Sequence, residues 1–194
     1  IDLGKAYFSP RLGTERQRIA SAIRPNETIA VFFAGIGPYA VQIARHCVPK
    51  KVFALEWNPK AIPLLKENIA QNKAAHLITI FSGDVAKSVA HILGQCTRVI
   101  MPAPETAIQY LPAAVKALSP KGGIIHCYLF VERKKSTSVS VKKELSPHLP
   151  KNRPCFIVSV RSVSDFSASK VQVCAEIKVG KARALRSPKK SSKR

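Results

Sequence analysis

IAVFFAGIGPYA, at residues 29–40, is the stretch that decides the fold. Its first half is a short apolar run, which predicts a buried strand. Gly35 and Gly37 follow, and Pro38 stands where a helix would begin. Glycines at such a turn let the backbone approach a ligand closely and leave the helix N-terminus free to face it. The turn by itself is weak evidence for a ligand, because many strand-to-helix turns use glycine only to change direction.

The rest of the chain alternates short apolar runs with longer amphipathic stretches, without an internal repeat. A first helix is predicted to start at Ser9 and Pro10 and to end near Ile23. The alternation predicts parallel strands joined by right-handed crossover helices, with helices on both faces of the sheet. The predicted strands are 28–33, 51–56, 77–81, 98–101 and 123–130, and the predicted helices are 38–47, 59–72, 85–93 and 105–118.

The pattern changes after Phe130. Residues 132–153 are rich in Lys and Ser, and their helical content is left open. Residues 155–163 and 171–179 are two β-rich runs around a polar turn, which predicts a hairpin that closes the sheet with an antiparallel edge. The expected domain is therefore 1–179, an α/β domain with a mostly parallel seven-stranded sheet. Residues 180–194 have few large apolar side chains to offset the entropy of ordering, so we expect a disordered basic tail.

Charge is the outlying feature of the composition. The 194 residues include 32 Lys and Arg against 11 Asp and Glu, a net charge of +21. Eight of the positive charges lie in residues 178–194, which hold no acidic residue, so the remainder still has a net charge of +13. Such an excess favours a polyanionic partner, and composition does not choose between nucleic acid and an anionic membrane surface.

Other features of the sequence bound the class of protein. No apolar stretch is long enough to span a bilayer, and the first residues lack a secretory signal pattern, so we expect a soluble intracellular protein without a membrane partner. The five cysteines are widely spaced and form no CxxC pair. Buried reduced thiols are the simplest interpretation, and we expect no metal site.

Acidic residues follow the second and third predicted strands. Glu56 ends the second strand about 20 residues after the glycine turn, where a carboxylate can accept hydrogen bonds from both ribose hydroxyls of a nucleotide. The alternative is a solvated carboxylate at a strand end. Asp84 follows the third strand and could bond an adenine amino group, cap the next helix, or do both.

The glycine turn, Glu56 and Asp84 follow three successive strands. This order resembles that of the residues lining the cofactor cleft of Rossmann-like methyltransferases, which bind S-adenosylmethionine. Neither GxGxxG nor GKS/T occurs, so a dinucleotide fingerprint and a P-loop are unsupported. S-adenosylmethionine has no pyrophosphate, which suits the shorter glycine turn.

A more specific resemblance rests on YFSPRLGTER at 7–16, FAGIGPY at 33–39, and Asn58, Pro59, Ala61, Leu65, Glu67, Asn68 and Asn72. This combination resembles the archaeal and eukaryotic tRNA (guanosine-37, N1)-methyltransferases over roughly residues 5–130. Their relatives in wybutosine synthesis, which transfer the aminocarboxypropyl group of the same cofactor, share much of it. The resemblance implies a class I methyltransferase fold, S-adenosylmethionine as cofactor and tRNA as partner.

The resemblance also implies roles for individual residues. Glu15 corresponds to the acid that takes the proton from guanine N1, and Tyr7 and Arg11 correspond to residues that border the pocket. Without the resemblance, Glu15 would be interpreted as an exposed helix carboxylate paired with Arg11. The candidate catalytic residues are Glu15, Arg11 and Tyr7. The candidate cofactor-binding residues are Tyr7, Arg11, Phe33, Ala34, Gly35, Gly37, Glu56, Trp57, Asn58, Gly83, Asp84, Val85 and Pro102.

Two positions depart from the family pattern. The family's fourth strand ends in Asn-Leu-Pro, whose Asn helps to hold the guanine, whereas this chain has Pro102, which supplies neither a side-chain hydrogen bond nor a backbone donor. The family's first strand carries Asp where this chain has Val31. The chain also begins just before the Tyr7 motif, so we expect that the N-terminal tRNA-binding region of the family is missing.

Three functions remain open at this point. The first is methylation of guanosine-37 in tRNA with Glu15 as base. The second is aminocarboxypropyl transfer in wybutosine synthesis, which does not require Asn-Leu-Pro. The third is a non-catalytic tRNA-binding module. We place the first narrowly ahead.

We expect a monomer. The expected location is the cytoplasm, with the nucleus and the mitochondrion as alternatives. The segment RSPKKSSKR could be a nuclear signal or a tail that contacts RNA.

Overall fold

A seven-stranded mixed sheet forms the centre of the computed structural model, which describes residues 12–135 and 138–182. The sheet order is β3-β2-β1-β4-β5-β7-β6. Neighbours among β1 to β5 are parallel, and β7 pairs antiparallel with both β5 and β6. The strands are β1 Thr28–Phe32, β2 Lys51–Glu56, β3 Ile78–Ser82, β4 Arg98–Met101, β5 Gly123–Glu132, β6 Cys155–Asp165 and β7 Lys170–Val179. The predicted fold class, a mostly parallel sheet with an antiparallel C-terminal edge, is confirmed.

Helices cover both faces of the sheet, because successive side chains of β1 point to opposite sides. Ile29 and Val31 pack in an apolar cluster with residues of α1 (Gly13–Ser21), α2 (Pro38–His46) and α3 (Ala61–Gln71). Ala30 and Phe32 pack in a second cluster with residues of α4 (Val85–Ser88), α5 (Leu111–Ala117) and α6 (Ser138–Leu145). The buried side chains of both clusters exclude water and supply most of the favourable free energy of folding.

Two predicted helices are shorter than expected. The region predicted as helix 85–93 is α4 followed by the 3-10 turn Val89–Ile92, and 105–118 is the 3-10 turn Ala107–Tyr110 followed by α5. Pro112 lies in the first turn of α5, where its missing N–H is tolerated. An α-helix running through this position from residue 105 would lose a hydrogen bond there, so α5 begins at Leu111.

The remaining boundaries lie close to the predictions. Strands 51–56 and 98–101 have the predicted bounds, β3 is shifted by one residue, and β5 extends two residues beyond its prediction. The segment whose helical content was open contains α6. The predicted start of the first helix, at Ser9 and Pro10, lies outside the described residues.

Arg98, at the start of β4, joins the end of α1 to the sheet. It donates to both carboxylate oxygens of Glu27 at 2.8 and 2.9 Å and to the carbonyl oxygen of Ala22 at 2.8 Å. Its Nη1 also lies 2.6 Å from Nε2 of His126 on β5. Arginine can only donate, so Nε2 is the acceptor and Nδ1 of His126 carries the proton. Burial, with Arg98 and Arg18 nearby, lowers the pKa of His126 to about 3.

The first residues of the predicted tail continue the fold. The N–H of Gly180 donates to the carbonyl of Pro154 at 2.7 Å, and that of Ala182 donates to Pro120 at 2.9 Å. Residues 183–194 lie outside the described part of the chain.

Within residues 12–135 and 138–182, no helix is both long and apolar enough to cross a membrane. The same ranges hold no group of three His, Cys, Asp or Glu side chains arranged to bind a metal ion. Cys96, Cys127 and Cys174 are buried free thiols, and burial raises the pKa of each to about 12. These thiols therefore stay protonated and unreactive at neutral pH.

Candidate active site

The ends of β1, β2 and β3 meet at one edge of the sheet. Phe32 at the end of β1 pairs in register with Leu55, and Glu56 at the end of β2 pairs with Ser82. The loops that follow these strands therefore start side by side, at the carboxyl edge where ligands of open α/β sheets bind.

The loop after β1 makes the turn that the glycines predicted. Phe33, Gly35 and Gly37 have positive φ angles of 56°, 56° and 90°. The N–H of Ala34 donates to the carbonyl of Leu55 at 3.0 Å, which fixes the loop against β2. Phe33 adopts this left-handed conformation without being glycine, a strained state that the surrounding contacts must hold.

Gly37 is required by packing as well as by the turn. A Cβ at this position would lie 2.6 Å from Cδ1 of Leu65 on α3. The adjacent carbonyl of Ile36 accepts a 2.9 Å hydrogen bond from the side chain of Asn68. Gly37 therefore leaves room for the buried side chain of Leu65, and this part of its role needs no ligand.

Glu56 is held in place by two backbone donors. Its Oε2 accepts from the N–H of Gly35 at 2.6 Å, and its Oε1 accepts from the N–H of Asn58 at 2.8 Å. The residue is 4% exposed, so the alternative of a solvated carboxylate at a strand end is wrong. Each oxygen keeps a second lone pair, which matches two neighbouring hydroxyls of a ribose.

Trp57 and Asn58 follow Glu56 in the loop after β2. Trp57 is 67% exposed, although a large aromatic side chain is usually buried. Its ring is therefore accessible for stacking on a planar base. Asn58 accepts a 3.0 Å hydrogen bond from the N–H of Lys60, which shapes the turn into α3.

The loop after β3 brings Gly83, Asp84 and Val85 beside the same site. The N–H of Gly83 donates to the carbonyl of Glu56 at 2.9 Å. Oδ1 of Asp84 accepts from the N–H of Ala86 at 2.9 Å, so the residue caps α4 as one of its alternatives predicted. Asp84 is exposed and Val85 is buried, so only the former presents its side chain to solvent.

Pro102 follows β4 and closes another side of this edge. It offers no amide, so hydrogen bonding to a base here must come from other residues. Tyr110, which the sequence analysis did not single out, packs edge-on against Phe33 with ring centroids 5.1 Å apart. Its place in an amphipathic stretch gave no signal that it would meet the glycine turn.

Glu15 lies in the first turn of α1 and is 8% exposed. Its Oε1 accepts from the hydroxyl of Tyr128 at 2.5 Å and from Nη2 of Arg18 at 2.6 Å. Its Oε2 accepts from Nε of Arg18 at 2.7 Å. The interpretation of Glu15 as an exposed carboxylate is therefore wrong, because the residue is buried and bonded to Arg18 one turn later. Arg11 and Tyr7 lie outside the described residues.

The cluster around Glu15 reaches the glycine turn through α2. Tyr39, the second residue of that helix, donates to the hydroxyl of Tyr128 at 3.2 Å. On the other side, Met101 pairs with Cys127, so Tyr128 lies level with Pro102 at the end of β4. Glu15 therefore lies at the same edge of the sheet as the candidate cofactor cleft.

Burial and charge define the protonation of this cluster. The hydrogen bond to Glu15 raises the pKa of Arg18 above its ordinary value, so the guanidinium stays charged. Burial raises the pKa of Tyr128, so its hydroxyl keeps its proton and donates it to the Glu15 hydrogen bond. The cluster thus combines a fixed cation and a fixed hydroxyl donor around one carboxylate.

Comparisons with known proteins identify the family of the chain. The sequence profile of the TRM5/TYW2 methyltransferase domain matches residues 1–148. Trm5b of Methanocaldococcus jannaschii, a tRNA (guanine(37)-N(1))-methyltransferase, is 39% identical over 128 residues, which cover 66% of this chain and 36% of the relative. The tRNA (guanine(37)-N(1))-methyltransferase of Phytophthora infestans is 31% identical over 202 residues, covering 100% of this chain and 48% of the relative. The chain thus spans between about a third and a half of the length of these relatives.

Solved structures give the same result. M. jannaschii Trm5 in complex with adenosine has a TM-score of 0.78 and 30% identity, covering 93% of this chain and 52% of that one. M. jannaschii TYW2 in complex with AdoMet has a TM-score of 0.81 and 25% identity, covering 93% and 81%. A complex of aTrm5 with tRNALeu has a TM-score of 0.74 and 30% identity, covering 92% and 49%. From its fold, its motifs and the profile match, the chain belongs to the TRM5/TYW2 methyltransferase domain family.

Proposed function

We propose that this chain is the methyltransferase domain of a tRNA (guanine-37, N1)-methyltransferase. The observation that carries the proposal is Glu15, a carboxylate buried at the carboxyl edge of the sheet and bonded to Arg18 and Tyr128. Relatives with this activity, in an archaeon and in an oomycete, support the same substrate.

The residues at the ends of β1 to β3 fit S-adenosylmethionine. Glu56 is oriented by two backbone donors and keeps a free lone pair on each oxygen for the ribose hydroxyls. Trp57 is exposed for contact with the adenine, and Asp84 is exposed beside it. When bound, this cofactor supplies a methyl group on a sulfonium sulfur. The AdoMet and adenosine complexes of the structural relatives support this assignment.

Glu15 carries the proton transfer in the proposed reaction. Guanine N1 is a poor nucleophile while it is protonated, so a carboxylate that accepts its proton promotes transfer. Glu15 would take the N1 proton, and the bound cofactor would supply the methyl group to N1, with the electron pair of the carbon–sulfur bond left on sulfur. The burial of Glu15 keeps bulk water away from this step.

The charge of the chain supports tRNA as the partner. A net charge of +21 attracts a polyanion, and the family member aTrm5 has been solved with tRNALeu. Arg16, Arg45 and His46 line one depression beside the glycine turn, together with Gly37 and Pro38. Phosphate groups of an RNA are therefore suited to this side of the domain.

Aminocarboxypropyl transfer in wybutosine synthesis is the second candidate. Pro102 favours it, because this position lacks the amide that the methylating family uses to hold guanine. A non-catalytic module is the third candidate, motivated by Pro102 and Val31. Val31 is buried in the apolar cluster under α1 and α2, so the loss of the family's Asp leaves no polar group unpaired there.

Product analysis separates these three functions. Two tRNA substrates, one with guanosine at position 37 and one with the tricyclic precursor of wybutosine there, are incubated with the protein and S-adenosylmethionine, and their nucleosides are analysed by mass spectrometry. The proposal predicts a methyl increment on guanosine-37. An aminocarboxypropyl increment on the tricyclic base would support the second candidate, and the absence of any increment on either tRNA would support the third.

A further inference from the structure

We propose that Tyr128 and Arg18 are positioning residues that hold the Glu15 carboxylate so that Oε2 accepts the substrate proton. This inference rests on the proposed function for its chemistry, and its geometry is independent of which group is transferred. Neither residue is assigned by the sequence motifs, and Tyr128 lies 113 positions from Glu15.

The two oxygens of Glu15 are not equivalent. Oε1 accepts two hydrogen bonds, from Tyr128 at 2.5 Å and from Arg18 at 2.6 Å, which use both of its in-plane lone pairs. Among the residues that the structure describes, Oε2 accepts one bond, from Nε of Arg18 at 2.7 Å. A carboxylate has about four acceptor positions, so the remaining one is on Oε2. The proton of guanine N1 is therefore expected to arrive at this oxygen.

Tyr128 is itself fixed. It is buried on β5, and its hydroxyl accepts a 3.2 Å hydrogen bond from Tyr39 while donating to Glu15. The direction of these two hydrogen bonds is fixed, because an ionised carboxylate can only accept a hydrogen bond. Tyr39 thus orients Tyr128, and Tyr128 orients Glu15.

Arg18 supplies the opposing charge. Its Nε and Nη2 form a two-pronged contact with the carboxylate, the geometry that fixes both the position and the plane of the group. Nη2 also lies 3.5 Å from Sγ of Cys174 on β7, which anchors the guanidinium to the sheet. A buried carboxylate without such partners would favour the protonated form, which accepts no further proton.

Within the described part of the chain, the groups that face Glu15 from the packed elements are Arg18 on α1, Tyr128 on β5 with Tyr39 of α2 behind it, and Cys174 on β7. Burial raises the pKa of Cys174 to about 12 and raises that of Tyr39, so both stay neutral near pH 7. A substitution at Tyr128 can therefore remove its hydrogen bond to Glu15 while the charges of these neighbours stay unchanged.

The test removes one oxygen atom. Tyr128→Phe deletes the donor and keeps the ring, and Tyr110→Phe is the matched control, since this phenol belongs to the Phe33 contact instead. The chemical shift of the Glu15 carboxyl carbon is measured at neutral pH by NMR of the labelled chain, with its signal assigned by its loss in Glu15→Gln. Tyr128→Phe is expected to move this signal, because the carboxylate loses a hydrogen bond, whereas Tyr110→Phe should leave it in place. An unmoved signal in Tyr128→Phe would overturn the positioning role.

Kinetics of the wild-type and variant proteins separate this inference from the proposed function. If the protein methylates tRNA, Tyr128→Phe should lower kcat roughly tenfold and leave KM for S-adenosylmethionine unchanged, because the base is no longer held while the cofactor contacts remain. Methylation at the wild-type kcat in Tyr128→Phe would refute the inference and leave the function standing. A different product, with the carboxyl signal moved in the NMR spectrum, would refute the function and leave the positioning contact standing.

Discussion

The backbone N–H of Gly35 donates a 2.6 Å hydrogen bond to Oε2 of Glu56, joining the glycine turn after β1 to the acidic end of β2. This contact holds the carboxylate in one orientation before any ligand arrives. A pre-oriented acceptor loses less entropy on binding than a mobile one.

Glu56→Ala should therefore weaken binding of S-adenosylmethionine by about 1–3 kcal/mol, because the ribose hydroxyls lose a charged acceptor. Isothermal titration calorimetry measures the difference. Glu67→Ala is the control, since Glu67 is an exposed carboxylate on α3 that accepts a hydrogen bond from the side chain of Gln71 on the same helix. Equal affinities for wild type and Glu56→Ala would remove Glu56 from the ribose site.

Gly37→Ala should lower the melting temperature. The added Cβ would lie 2.6 Å from Cδ1 of Leu65 at a φ of 90°, so the backbone would be strained and the buried Leu65 side chain would have to shift. Gly13→Ala is the matched control, because the nearest described atom to its added Cβ is 3.9 Å away, and alanine favours the helix there. Circular dichroism melting compares the two. A Gly37→Ala protein as stable as wild type would show that Leu65 moves aside and that the backbone strain is negligible.

His126 should make the fold less stable in acid. Its pKa is about 3 in the folded chain and near 6.5 when unfolded, so between these values the unfolded state binds the extra proton. The contribution of neutral His126 to the free energy of unfolding is therefore complete above pH 6.5. It is lost as the pH falls toward 3, by up to about 1.4 kcal/mol per pH unit. Glu27, whose pKa the Arg98 hydrogen bonds lower despite burial, acts in the same direction.

Urea unfolding of wild type and His126→Gln from pH 7 to pH 4 tests this contribution. The variant keeps an acceptor for Arg98 and has no imidazole to protonate, so its stability should vary less with pH. Parallel pH curves for the two proteins would show that His126 is not the titrating group.

The basic segment after Ala182 offers a test of RNA binding. A chain shortened after Ala182 keeps every residue of the described C-terminal part, including Ala182, whose N–H donates to the carbonyl of Pro120. The segment carries six positive charges, and the expected result is a smaller dependence of tRNA affinity on salt in the shortened chain. Filter binding over a salt series measures both slopes. Identical slopes would exclude the segment from the interface.

The sequence predicted the elements that local chemistry determines. The apolar run at 29–33, the glycine turn and Glu56 follow from strand, turn and carboxylate patterns that lie within about 25 residues of one another. It did not predict that Glu15 would meet Tyr128, because this contact depends on β5 lying two strands from β1 in the sheet. The tyrosine inside the apolar run of β5 was a signal that a buried hydroxyl needs a partner, but no spacing rule names that partner.

The pairing of Glu15 with Arg18 was also missed, although the i to i+3 spacing allows it. Local spacing allowed an ion pair of Glu15 with Arg11 equally well. The two hydrogen bonds from Arg18 form where Glu15 is buried against the sheet, and only the tertiary structure shows this burial.

The most direct test of the account compares wild type with Glu15→Gln in single-turnover methylation of tRNA at saturating S-adenosylmethionine. The amide keeps the shape of the side chain but cannot take the N1 proton, so the rate should fall about 10²–10⁴-fold. Calorimetry and thermal unfolding on the same samples should give nearly unchanged cofactor affinity and a folded protein. A methyl product on guanosine-37 formed at the wild-type rate by Glu15→Gln would contradict the assignment of Glu15 as the base.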